Sequence, residues 1–298
     1  MDLNALREFS AVISEGSFAA AARRLNTPKS TVSKRIQDLE NALGTRLIER
    51  TTRRLRLTPE GAVVLGRAER ILADADEIAE ALSQDHSTVR GHLRIAAPSL
   101  FGQTVLAPLA AICRTRYPEL TLEYVLQDSQ PDLIENGFDA AVRIGAVQDD
   151  ALAALPLGTI EGCLVAAPGC LDRPLEGIED LTDAPTLAQG HGLVQTWHLI
   201  GPDGQRSVRI AAGVSMSSPA ALREAARAGA GIALLPYYAV AADLAAGRLT
   251  EVLPGWSGLP RPVALVYPGA QALTHRLRAA ADLMAEAAGP ILQVRSSA

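Results

Sequence analysis

Cysteine is scarce in this chain. The three that occur, Cys113, Cys163 and Cys170, fall at no metal-ligand spacing and make no even disulfide framework. Long apolar runs are missing too, so no membrane span and no membrane partner is expected. The first residues, MDLNALREF, lack a basic stretch followed by an apolar core, so no export signal is read and a cytoplasmic protein is expected. There is no nucleophile–base set, no phosphate-cradling Walker loop, no GxGxxG and no metal cluster. The expectation is therefore a non-enzyme with no catalytic residues, no metal and no cofactor. Aromatics are few, at 4% of residues.

Charge is present but unevenly placed. Residues 1–58 hold 11 Lys/Arg against 6 Asp/Glu, a net of +5, while the whole chain is −5, which leaves −10 for residues 59–298. Only the small first part is fit to approach a polyanion. Taken alone, its arginines could equally be a solvated face.

The pattern inside that part argues otherwise. Leu3, Leu6, Phe9, Val12 and Ile13 predict a supporting helix over Asp2 to Ser14. Ser17 is a suitable N-cap for a second helix, with Phe18, Ala21, Ala22 and Leu25 on one face. Thr27 could cap a third helix beginning at Pro28, and Gly44 offers its stop. Val32, Ile36, Leu39 and Leu43 form the expected buried stripe of that helix. Ser30, Lys34 and Gln37 point away from the stripe, with Thr31 and Ser33 on the flanks and Lys29 at the start. Such side chains reach base edges and phosphates without clashing. Residues 47–50 and 55–57 read as two short strands. Arg50, Arg53, Arg54 and Arg56 make their tip cationic, as a wing over phosphates would be.

These residues resemble the LysR-type transcriptional regulators. The resemblance lies in GSFAAAARRL, STVSKRIQDLE, LG-x-RL-x-x-R and LTPEG, in register, as in that family's winged helix-turn-helix. It implies a recognition helix from Pro28 to about Asn41 and double-stranded DNA as a partner. The sequence departs from the common pattern at Leu47-Ile48, where an aromatic often follows the leucine, and in TPKSTVS.

Thr58-Pro59-Glu60 reads as a helix start. Leu65, Ala68, Leu72, Ala75, Ala79 and Leu82 then repeat like a coiled-coil seam. A dimerisation helix over 59–88 is expected, against the plainer reading of a helix packed on its own domain. The resemblance adds a homodimer, often a homotetramer, with contact to RNA polymerase. Two-fold symmetry would make the operator roughly palindromic. Residues 83–91 read as a hinge.

From His92 onward, strands and helices alternate, which argues for parallel α/β sheets. Strands are expected at 93–97, 120–126, 140–144, 163–167, 212–215, 231–235 and 263–267. Helices are expected at 103–116, 131–136, 218–228 and 273–288. GHLRIAAPSLFG, YPELTLEYVLQD, DLIENGFDAAVRIG, AGAGIALLP and AAGRLTEVLP resemble the effector-binding domain of the same family. That resemblance implies a two-lobed, periplasmic-binding-protein-like α/β domain over 91–298. Lobe one would be 91–161 plus 267–298, and lobe two 162–266.

Ligands of open α/β sheets sit at the carboxyl ends of strands. That places Ser99, Leu100 and Phe101, Arg143 and Gly145, Ser217 and Ser218, and Leu235 and Pro236 around the cleft as candidate effector contacts. Helix starts with serines would suit an anionic group. The plainer readings are capping for the serines and an ion pair with Asp139 or Glu135 for Arg143. Trp197 and His198 either wall the cleft or only pack. The functional expectation is a sequence-specific DNA-binding regulator modulated by a small-molecule effector. The alternatives are a cytoplasmic binding protein or enzyme with an accessory DNA-binding-like domain, or a redox regulator using Cys163 and Cys170.

Overall fold

A computed structural model describes residues 2–50, 55–82, 88–269, 273–289 and 291–292. The chain forms two compact units, residues 1–92 and 93–298.

In the first unit, α1 is Leu3–Ser14, α2 Phe18–Arg24 and α3 Lys29–Leu43, followed by β1 (Ile48–Arg50), β2 (Leu55–Leu57) and α4 (Pro59–Leu82). Asp2 caps α1 by accepting from Asn4 N at 3.0 Å, and Ser17 caps α2 by accepting from Ala20 N at 3.1 Å. Asn26, at φ 48°, carries the chain through the left-handed region between α2 and α3. Helix α3 starts at Lys29, one residue later than expected, with Pro28 as its cap. Thr27 is not the cap; its hydroxyl donates to Leu25 O at 3.1 Å instead. Pro28 itself is extended, at ψ 137°, so the first helical residue is Lys29 and Thr27 stays on the turn. Gly44 ends α3 in the left-handed conformation, as expected.

Leu6, Phe9 and Val12 of α1, Ala21 and Ala22 of α2, and Val32, Ile36 and Leu39 of α3 share one core with Leu47, Ile48 and Ala68. The alanines let α2 cross its neighbours closely. Leu43 is 40% exposed and leaves the expected stripe, since α3 has passed the core by its last turn. Strands β1 and β2 pair antiparallel, Ile48 opposite Leu57 and Arg50 opposite Leu55. Thr58 ties the hairpin to α4: its hydroxyl accepts from Gly61 N at 2.8 Å and donates to Arg46 O at 2.7 Å. A Cβ on Gly61 would lie 2.1 Å from the Leu47 carbonyl oxygen, so glycine is required there.

The seam on α4 splits. Ala68 is buried, and Leu65 and Leu72 pack against the core of the same unit. The plainer reading therefore holds for the first half of α4. The side chains of Ala79 and Leu82, and residues 83–87 of the expected hinge, lie outside the described residues.

Among the described residues, the second unit holds two sheets. The first has five strands in the order β4 (Glu119–Leu126), β3 (Arg90–Ala97), β5 (Ala140–Ile144), β15 (Arg261–Pro268) and β6 (Leu152–Ile160). The second runs β10 (Gly204–Ala211), β9 (Val194–Gly201), β14 (Ser257–Gly258), β7 (Gly162–Ala166), β12 (Ile232–Pro236), β8 (Thr186–Gln189) and β11 (Val214–Met216), with β13 (Thr250–Glu251) also on β7. The helices are α5 (Ser99–Phe101), continued by a π-helical stretch Gly102–Leu106 into α6 (Ala107–Arg116), then α7 (Pro219–Arg227), α8 (Tyr237–Ala245) and α9 (His275–Ala288). Among the described helices, none is long and apolar enough to cross a membrane.

This is the expected two-lobed α/β architecture, with three corrections. The sheets are mixed rather than parallel. Strand β3 pairs parallel with β5, but β15 runs antiparallel to β5 and β6, and β12 antiparallel to β7. The chain passes between sheets directly, from Ile160 to Gly162 and from Gly258 to Arg261, without the helical crossover that parallel pairing needs. Secondly, the return to lobe one comes at Arg261, not Tyr267, so residues 261–266 belong to the first lobe. Thirdly, residues 133–137 form a turn rather than a helix, with Asp132 accepting from Glu135 N at 2.8 Å.

Candidate nucleic-acid interface and ligand cavity

Helix α3 offers an exposed polar face. Lys29, Ser30, Lys34 and Gln37 are exposed, and Thr31 and Ser33 are half-buried on its flanks. Within the described residues, none of these six side chains forms a hydrogen bond or ion pair, so their donors and acceptors remain available. The neighbouring residues are already committed. Arg35 pairs with Glu8 of α1, whose carboxylate is buried, and this fixes α3 against α1. Arg24 binds Glu15 at 3.0 Å and Ser14 at 3.2 Å. Glu40 holds the hairpin: one carboxylate oxygen accepts from Leu47 N at 2.8 Å and Ile48 N at 3.1 Å. Ser17 is exposed, with its hydroxyl engaged at the start of α2. Arg53 and Arg54 lie outside the described residues, and of Arg50 only the backbone is described.

In the second unit, a cavity of about 210 Å³ opens at the carboxyl ends of the first sheet's strands. Polar groups come from Gln127, Asp128, Ser129, Gln130, Arg143, Gln189, Ser217, Tyr238 and Arg261. Leu100, Val142, Ile160, Pro219 and Pro236 add apolar wall. Arg143 donates to Gln130 Oε1, and its Nε is buried without a hydrogen-bond partner. Arg261 donates to Ile144 O at 3.0 Å. Asp128 accepts from Ser99 N at 3.0 Å. Tyr238 is 5% exposed; burial, then the Asp128 charge, push its phenol well above the ordinary range, so it stands as an O–H donor.

Known families match both parts. Residues 3–62 match the bacterial regulatory helix-turn-helix protein, lysR family, and residues 86–289 match the LysR substrate binding domain. This chain belongs to the LysR family of transcriptional regulators. A HTH-type transcriptional regulator of Xanthomonas campestris is 34% identical over 290 residues, 95% of this chain and 84% of that protein. The HTH-type transcriptional activator AaeR of Escherichia coli is 34% identical over 269 residues, 89% of this chain and 87% of that protein. The structure of CrgA, a LysR-type regulator from Neisseria meningitidis, superposes with a TM-score of 0.61 at 31% identity, covering 96% of this chain and 98% of that one.

In this LysR-family regulator, Leu100, Arg143, Ser217 and Pro236 line the cavity as expected. The other candidates do not. Phe101 is buried and meets the Tyr238 ring edge-on, centroids 5.9 Å apart. Ser218 caps α7 through Ala221 N at 3.5 Å, and Leu235 is buried in the second lobe's core. Gly145 lies beside the Arg261 guanidinium rather than on the wall. Ser99 is corrected most sharply, since its amide is already occupied by Asp128. The anion site expected at that helix start is filled by the chain's own carboxylate. Arg143 makes no ion pair with Asp139 or Glu135.

Trp197 packs in the core of the second lobe, and His198 bonds Ser207 Oγ through Nδ1 at 2.9 Å on an exposed strand. Neither lines the cavity. All three cysteines are free. Cys163 and Val165 face one core of the second sheet, while Leu164, Ala166 and Cys170 face the other. The sheet thus stands between Cys163 and Cys170. Burial pushes the Cys113 thiol up, away from the reactive thiolate.

The polar lining residues not expected from the sequence are Gln127 to Gln130, Gln189, Tyr238 and Arg261. The first four follow β4, and the strand-end rule applied to β4 as to β3 and β5 would have included them. Arg261 gives no such signal, because it sits at the start of its strand and reaches the site only through antiparallel pairing with β5.

Proposed function

We propose that Ser17, Lys29, Ser30, Thr31, Ser33, Lys34 and Gln37, with the wing arginines Arg50, Arg53 and Arg54, contact operator DNA. The observation that carries this reading is the polar face of α3, exposed and without internal partners beside a fully packed core. A homodimer joined along the outer half of α4 places two such faces on a roughly palindromic operator. Assembly to a homotetramer and contact with RNA polymerase extend the same reading. A small molecule in the cavity favours one lobe arrangement and so shifts DNA binding. The protein is a cytoplasmic regulator, not an enzyme. A redox reading through Cys163 and Cys170 is disfavoured by the sheet between them.

Operator titrations with Ser33→Ala and Lys34→Ala test the assignment. Each variant should keep wild-type circular dichroism. Lys34→Ala should weaken binding and flatten the salt dependence by about one counterion. Unchanged affinity in both would place the recognition face elsewhere.

A further inference from the structure

We infer that the ligand of this cavity is a small organic monocarboxylate with a compact apolar body, held between Arg143 and Arg261. The inference rests on reading the cavity as the effector site and goes on to name the ligand's chemistry.

The lining contains two guanidinium groups and one carboxylate, Asp128. Among the described residues, neither Arg143 nor Arg261 has a carboxylate within ion-pair distance. Asp128 already accepts the backbone amide of Ser99, which spends part of its charge locally. The lining therefore carries an excess of about one positive charge, which a single negative charge would balance. A dianion would also have to face Asp128.

Hydrogen bonding gives the same sign. A buried donor without a partner is uncommon, and such a group calls for an explanation. Arg143 Nε is such a donor, while Gln130 holds its Nη1 and so fixes the direction of the fork. Arg261 is held at one nitrogen by Ile144 O and keeps its other donors. Tyr238 adds a hydroxyl. Planar guanidinium forks suit the two oxygens of a carboxylate. The remaining wall, Leu100, Val142, Ile160, Pro219 and Pro236, offers nothing polar from its side chains and suits a compact hydrocarbon body.

The test is calorimetric titration of the full chain with benzoate, benzamide, benzylamine and inorganic phosphate. The first three have one shape and charges of −1, 0 and +1. Benzoate should bind measurably, and the other three at least about tenfold more weakly. R143Q and R261Q should each weaken benzoate by about ten- to a hundredfold, since each removes charge-assisted bonds. Arg261 is exposed, so R261Q keeps the test sound if R143Q alters folding. Benzamide, benzylamine or phosphate binding as well as benzoate would overturn the proposal. So would no binding by any probe, or undiminished benzoate binding in R261Q. Operator affinity measured with and without benzoate separates the two readings. If benzoate binds through both arginines yet leaves DNA binding unchanged, the monocarboxylate class stands and the effector role fails.

Discussion

Asp243→Ala is expected to destabilise the effector domain by about 3 kcal/mol, the lower end of the cost of breaking a buried ion pair, since its arginine partners stay partly exposed. That corresponds to a fall on the order of 10 °C in Tm for a domain of this size. Asp243, on α8, is fully buried. It receives Arg223 Nε at 2.7 Å and Arg248 Nε at 2.6 Å, with Arg227 Nε at 3.6 Å. One carboxylate thus links α7, α8 and the segment after α8. Removing it would leave three partly exposed guanidiniums repelling one another around the gap.

The same group sets a pH dependence. Burial alone would raise its pKa, but the hydrogen bonds from Arg223 and Arg248 and the charges of Arg223 and Arg227 outweigh that and lower it. A carboxyl depressed on folding contributes stability above its unfolded pKa, about 3.9, and loses it as pH falls through the folded value. Urea denaturation of the wild type and Asp243→Asn should differ fully from pH 7 to about pH 4, and the gap should close below that. A gap that grows on acidification would contradict the role given to Asp243.

Glu40→Ala is expected to weaken operator binding by about a hundredfold while the helices stay folded. Each hydrogen bond to an ionised group is worth about 1.5–3 kcal/mol, and Glu40 accepts two from the hairpin backbone. Without them, Leu47 N and Ile48 N must find other partners and the wing loses its fixed approach. Glu40→Gln keeps an acceptor without the charge, so it should fall between. Anisotropy titrations on operator DNA give the affinities, and far-UV circular dichroism reports the helices. Full affinity in Glu40→Ala would mean the wing is positioned without this carboxylate.

The first unit was largely legible in the sequence because its signals are local. Ser17 and Thr58 cap helices at their own positions, Gly44 stops α3, and the stripe from Val32 to Leu39 is a helical period. Leu43 and Thr27 departed because α3 outruns the core at one end and Pro28 stays extended at the other. The second unit was less legible. Strand β6 was hidden by Pro156 and Gly158, which an edge strand and its bulge tolerate. The β9–β10 hairpin, turning at Gly201-Pro202-Asp203-Gly204, did carry a readable turn signal. The cavity was half legible. Arg143 and Ser217 follow the strand-end rule, whereas Asp128's capture of the Ser99 amide and the arrival of Arg261 depend on contacts distant in sequence.

Residues 1–58 are expected to read a particular DNA sequence. Binding of the full chain to DNA flanking its own gene, against scrambled DNA of equal length across a range of salt, tests it most directly. Salt-sensitive binding to both is expected, with the flanking DNA preferred by a factor of about a thousand or more at physiological salt. Equal affinity for the two at every salt concentration would contradict it.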